Sequence, residues 1–478
     1  MTRNVDEIWQ ALKASRSPSE TSKKCALSRP DQPVLKELNS VTHTASGEDS
    51  TAQNAPFSQR DLNCLSDLDR AVRKRAIIKL YSHISDCNPD EWTMEVQELF
   101  RRENAWRKLT VMLGDPSDLC REKSLAVVGV YLSREEADAH FVHQLVEALK
   151  QRMGVGISAV LESSEELRHG LAEFTATALA PRAVKCTVVE DVALLLVQFL
   201  GDGFHEAKKQ ACRGIVALTE QCNADHLATS YAKLVDACVE ALRHSHSRVR
   251  GAALSALSAV IQCVSLPSEV VGTQLVPAMQ GLAADRSPEL RSACFRACAA
   301  WLTSQIDLHK GSSASCQRLL PVLLLGLTDV VDSIALEALN LVEEVGSAYC
   351  AHQSPPCGSE GPDPETEEES EAARKIAAAN LPPPFNKRPS PAARKMMRSE
   401  VQHVLPSVLR DAHEWTTALR CTASRSLYSI TALAEDSVTR HLDSIIPALC
   451  QAVGDDDEAV TTRIIHCVHV VGAFCKVR

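Results

Sequence analysis

An apolar residue followed by arginine opens two stretches of small and apolar residues: Val249-Arg250 in SHSRVRGAALSALSAV and Leu290-Arg291 in RSPELRSACFRACAAWL. Aligning the chain on that arginine brings Arg73, Arg121, Arg168, Lys208, Arg250, Arg291, Ala335, Arg420 and Thr461 into one register, at steps of 48, 47, 40, 42, 41, 44, 85 and 41 residues. A second register runs with it. Pro277, Pro321, Pro406 and Pro447 each lie 14 residues before the aligned position, and each is followed eight residues later by an acid: Asp285, Asp329, Glu414 and Asp455. Such units cannot bury their apolar faces singly, so stability has to come from stacking neighbours.

Two helices per unit at a period of 40–47 residues is the spacing of HEAT and armadillo arrays. The expected fold class is therefore all-α, an α-solenoid of about nine repeats. The step of 85 is close to two periods and contains a linker. Proline is expected in an early turn of each first helix, where its missing N–H has no partner to lose. The acid belongs near the turn, where its carboxylate can satisfy N–H groups opening the second helix. Val249, Ala253, Leu257, Val260 and Val264 form one buried face of that helix, and Gly346 reads as a helix stop. The aligned arginine is placed to reach an acid in its own unit or the next. It is either a structural ladder between neighbours or a basic stripe for a ligand, interrupted at Ala335 and Thr461. With partly exposed bonds, Arg291→Ala is expected to cost about 1 kcal/mol. The first three units, before about Val188, fit the register less well.

Composition agrees with closely packed helices: of 478 residues 45% are apolar and only 4% aromatic. The 18 cysteines are scattered without a CxxC pair, which fits buried free thiols in a reducing compartment. A net charge of −10 disfavours general nucleic-acid binding. The runs VALLLVQFL and LLPVLLLGL are about half of what a membrane span needs. The expected compartment is cytosolic or nuclear, with no membrane partner.

Residues 1–60, which include VDEIWQALKA, are expected to be a disordered tail and 61–349 the array. Residues 350–398, with GSEGPDPETEEESE and LPPPFNKRPSPAARK, are expected to be an acidic and proline-rich disordered insertion; 399–478 continue the array. Ser370 and Ser390 resemble kinase sites, and deletion of 355–395 is expected to leave melting intact. An apolar helix ends the chain without a polar capping helix, which reads as the first part of a longer array or an end that dimerises.

Catalytic motifs are missing: there is no P-loop, GxGxxG, GxSxG or HExxH. His466, Cys467, His469 and Cys475 point around one helix and read as core packing, as do Cys294 and Cys298. The expectation is no enzyme, no cofactor, no metal and no small-molecule substrate.

LEALNLVEEVGSAY, LPPPFNKRPSP, HVLPSVLRDAHEWTTALRCTASRSLY and IIPALCQAVGDDDEAV resemble the HEAT-repeat family of axonemal dynein assembly factors. The resemblance rests mainly on residues 330–475 and extends more weakly back to about Leu62. It implies a cytoplasmic, non-catalytic scaffold for folding or pre-assembling dynein arms of motile cilia or flagella. Its implied partners are axonemal dynein chains and other assembly factors or chaperones. Without the resemblance, a HEAT adaptor in nuclear transport or a phosphatase-type regulatory scaffold stays open.

Overall fold

A computed structural model describes residues 57–474 except for 87–95, 97, 101–104, 136–137, 157–159, 265, 310–312, 354–373 and 375–383. The described residues belong to one compact unit, Pro56–Arg478. The expected N-terminal tail up to residue 56, Ser370 and Cys475 lie outside the described residues.

Among the described residues the chain forms nine successive helix pairs. These are α1 (Gln59–Cys64) with α2 (Arg70–Asp86), α3 (Ala105–Met112) with α4 (Asp118–Arg134), and α5 (Ala139–Met153) with α6 (Glu165–Phe174). Next come α7 (Val189–Leu200) with α8 (His205–Thr219), α9 (Tyr231–Ala241) with α10 (Ser247–Cys263), and α11 (Val276–Ala283) with α12 (Pro288–His309). The last three are α13 (Ala314–Leu325) with α14 (Asp332–Gln353), α15 (Pro391–Asp411) with α16 (Thr417–Ala434), and α17 (Leu442–Ala452) with α18 (Glu458–Phe474). Leu, Val, Ile, Ala and Cys fill one continuous core along all nine. The fold is the helical-repeat solenoid that the period requires. The cysteines among the described residues are free; burial pushes the Cys212 and Cys467 thiols up to about 12, so they stay protonated core residues.

The prolines do not open their helices as expected. Pro321, Pro406 and Pro447 lie inside α13, α15 and α17. Pro277 is at the start of α11 but follows directly on the helical turns Ser268–Val270 and Val271–Leu275. Pro277, Pro406 and Pro447 are exposed, on faces where water can take the carbonyl that proline frees.

Through the first seven units the helices form two layers. The second helices stack in order from α2 to α14, and the first helices stack beside them. Between the seventh and eighth units the layers exchange. The first helix α15 packs on the second helix α14, and the second helix α16 packs on the first helix α13. Tyr349 donates to Ser399 Oγ at 2.8 Å across α14 and α15, while Arg425 of α16 donates to Thr328 Oγ1 at 2.7 Å and Leu325 O at 2.8 Å. Gly346 permits the crossing: a Cβ there would lie 2.7 Å from the Ala393 nitrogen. It is thus no helix stop, since α14 continues to Gln353.

Residues 350–353 and 384–398, expected in the disordered insertion, are part of the fold, and the rest of that segment apart from Arg374 lies outside the described residues. Phe385 is buried and packs edge-on against Tyr428, at 5.2 Å between ring centroids. Ser390 accepts from the Ala393 N–H as the N-cap of α15, with Pro391 in its first turn. Ser-Pro is a kinase-like pair in a loop, but the same two residues are also a helix start. Ser390 is therefore a half-buried cap and not a loop serine.

Candidate functional site

Most aligned cations reach forward, across the interface, to the acid at the turn of the next unit. Arg73 meets Asp115 at 2.6 Å, Arg121 meets Glu162 at 2.8 Å and Arg168 meets Asp202 at 2.8 Å. Arg250 meets Asp285 at 2.8 Å, Arg291 meets Asp329 at 2.7 Å and Arg420 meets Asp455 at 2.6 Å. The same guanidinium also donates backwards to its own turn: Arg250 Nη1 to His244 O at 2.8 Å, Arg291 Nη1 to Asp285 O at 2.9 Å. Each carboxylate in turn accepts the backbone N–H two residues on, as Asp285 does from Ser287 at 2.9 Å and Asp329 from Val331 at 2.9 Å. One rung thus fixes two turns and one interface.

Electrostatics follow from that geometry. Burial alone would push the Asp285 carboxyl up, but the Arg250 guanidinium and the Ser287 N–H outweigh it and hold it below the usual carboxylate range. Asp115, Glu162 and Asp329 are held down in the same way. For Asp455 the Arg420 hydrogen bond is the main cause. The guanidiniums are consumed by these pairs, so the ladder joins neighbours and presents no row of free cations to a ligand.

Asp115, Glu162 and Asp202 escape a search keyed to proline. The signal that finds them is their offset: each lies six residues before the aligned position of its unit, as do Asp285, Asp329, Glu414 and Asp455. In the fifth unit that offset lands on His244, and the cation facing it is Lys208. Lys208 donates to Leu200 O at 2.7 Å, and His244 Nδ1 accepts the His246 N–H at 3.1 Å, in the role the aspartates have elsewhere. Burial, then Lys208, His246, His205 and Arg250, hold the His244 imidazole below its ordinary value, in the neutral form that can accept.

Ala335 interrupts the ladder where the layers exchange. No second helix stacks in order on α14, so a cation at 335 would have no turn to reach. Glu414 consequently enters no ion pair among the described residues; its backbone is used instead, the carbonyl accepting from Arg420 at 3.3 Å and the N–H donating to Asp411 O at 3.3 Å. Thr461 bonds within α18, to Glu458 O at 3.0 Å.

A different carboxylate fastens the two helices of the eighth unit, and sequence reading misses it. Glu435 follows α16 with φ of +48°, a strained conformation for a non-glycine residue. Its carboxylate meets Arg388 at 2.7 Å, Arg398 at 2.9 Å and Arg394 at 3.4 Å. Burial would raise this carboxyl; the three guanidiniums, Arg388 first, keep it low and ionised. Glu435 thereby ties the segment that re-enters the fold at 385–390 to the end of α16.

Outside the ladder, a groove of about 460 Å³ runs between α10 and α12, with Gly251, Ser255, Ala293 and Ala297 in its walls. His466 and Cys467 do not converge on a common point with other ligands, and no cluster able to hold a metal ion occurs among the described residues. No helix among them is long and apolar enough to cross a membrane.

Comparison with known proteins places this architecture. The curated dynein axonemal assembly factor 5 of Xenopus laevis is 25% identical over 420 residues, 87% of this chain and 47% of its own length. The Homo sapiens protein of that name is 26% identical over 458 residues, 92% of this chain and 50% of its own. This chain therefore spans about half the length of the curated relatives it matches. An engineered protein of known structure is similar at a TM-score of 0.41 and 13% identity, over 87% of this chain and 98% of its own. Two family models match: "Dynein axonemal assembly factor 5-like, TPR repeats" over residues 64–353, and "Dynein axonemal assembly factor 5, HEAT-repeat domain" over residues 380–477. TPR units recur at about 34 residues, whereas the aligned positions here stand 40–48 apart within the first array. With the first model alone matching more than half of its residues, the chain belongs to the dynein axonemal assembly factor 5 family.

Proposed function

We propose that this chain acts as a non-catalytic scaffold in the cytoplasmic pre-assembly of axonemal dynein arms for motile cilia or flagella. Its partners on this reading are axonemal dynein chains and other assembly factors or chaperones, with no nucleic acid, membrane, cofactor or small-molecule substrate. The observation that carries the reading is the family match over both helical arrays, on relatives whose name states the assembly role. A stacked array with its cations paired internally supports it, because such a surface binds other proteins along its length. The test is affinity capture of the tagged chain from the cytoplasm of ciliating cells, with mass spectrometry of co-purifying proteins. Enrichment of axonemal dynein chains with chaperones is the expected result. Importins or a phosphatase catalytic subunit in their place would overturn it.

A further inference from the structure

The exchange of layers leaves one internal turn of the array without a rung cation from the preceding unit. At the turn between α15 and α16 the ladder acid is Glu414, whose rung partner is the apolar Ala335, and the carboxylate enters no ion pair among the described residues. Next to it Trp415 is 86% exposed, and Leu419, four residues on, is 39% exposed. Trp415 is held on a fixed backbone: its carbonyl accepts from Arg420 Nη1 at 2.9 Å, and Arg420 is itself anchored on Asp455. Between this turn and the next lies a cleft of about 300 Å³ whose walls carry Glu414, Arg420, Asp455 and Asp456. Arg420 and Asp455 neutralise each other, which leaves Glu414 and Asp456 in the cleft, with His413, as carboxylates without a paired cation among the described residues; Trp415 follows Glu414 directly in the chain.

The geometry points to a docking site for an arginine-bearing segment of a protein partner. A guanidinium is planar and weakly hydrated, so it can lie on the Trp415 ring while its N–H groups reach Glu414 or Asp456. In doing so it supplies the cation that Ala335 does not. Lysine offers a point charge without the planar face, so the site favours arginine over lysine. An exposed tryptophan on a rigid turn, rimmed by charge, is also the usual composition of an interface anchor. The site is independent of which protein carries the arginine and so stands apart from the dynein reading.

Hexa-arginine and hexa-lysine peptides, titrated calorimetrically into the full chain at fixed pH and salt, test it. Saturable binding with hexa-arginine the tighter ligand is expected. Trp415→Ala should weaken hexa-arginine about five-fold, the size of a partly exposed cation–π contact, and abolish the preference over hexa-lysine. Glu414→Gln should weaken both peptides. Both side chains lie at the surface, and circular dichroism checks that the variants stay folded. Wild-type affinity in Trp415→Ala, equal affinity for the two peptides, or binding that never saturates would each overturn the proposal, as non-specific attraction to a chain of net charge −10.

Discussion

The strength of a rung depends on how far its two ends are withdrawn from water. The Arg291 side chain is 10% exposed and its partner Asp329 only 1%, so Arg291→Ala strands a buried carboxylate with little beyond the Val331 N–H. The expected cost is about 3 kcal/mol, above the figure of about 1 kcal/mol that partly exposed bonds imply. Loss of amide protection confined to α12–α14 would show it; unchanged exchange there would count against the ladder. His244 gives a second prediction, of the opposite sign. Its folded value lies below the ordinary 6.5, so the unfolded chain takes up the proton first. The stability it contributes is complete above about pH 6.5 and is lost as the pH falls below that. His244→Asp places a carboxylate opposite Lys208, and should raise the melting temperature at pH 6 more than at pH 8. A shift equal at both values would remove His244 as the cause. The ladder carboxylates titrate in a separate window: held low in the fold, they stabilise above their ordinary values near 3.8 and cease to do so as the pH drops below them.

Helix α14 shows how an element can contradict the usual rule for its residues. Glycine inside a helix is about 1 kcal/mol worse than alanine, which makes Gly346→Ala stabilising on propensity alone. In this fold the added methyl would meet the backbone of Ala392 and Ala393 at under 3 Å. Backbone cannot swing aside as a flexible side chain can, so the substitution should destabilise by about 2 kcal/mol, with exchange protection lost first where α14 meets α15. A rise in the melting temperature would mean that α15 does not cross here. The same reasoning revises the expected effect of deletion across the insertion. Removing residues 355–395 would take Phe385, Arg388 and the Ser390 cap with it, and Glu435 would be left buried with fewer cations. A marked fall in the melting temperature is therefore expected, against the intact melting that the composition of this segment implies.

Across the whole molecule the ladder couples neighbours and not distant units. Asp285 receives Arg250 on its carboxylate and Arg291 on its carbonyl, so Arg250→Ala and Arg291→Ala share a partner and should combine non-additively. Arg250→Ala and Arg420→Ala lie on opposite sides of the layer exchange and should combine additively. Chemical unfolding of the two double variants separates these cases; additivity in both would mean that rungs act independently.

The repeat, the two helices per unit and the aligned cations with three of their acids are determined by the sequence alone, because each recurs at a fixed offset within about 40 residues. Periodic features report themselves; single exceptions do not. Ala335 and Lys208 stand in the sequence as plain irregularities, and Glu435 belongs to no register at all. Only the tertiary structure decided that α15 crosses α14, that Glu435 gathers three arginines, and that the Glu414–Trp415 turn is left open. A helix pair with apolar residues on both faces can stack on its predecessor in either sense, and local propensity does not distinguish the two. The choice is made by contacts between residues more than 40 positions apart, where Gly346 admits the backbone of α15 and Arg388 finds Glu435.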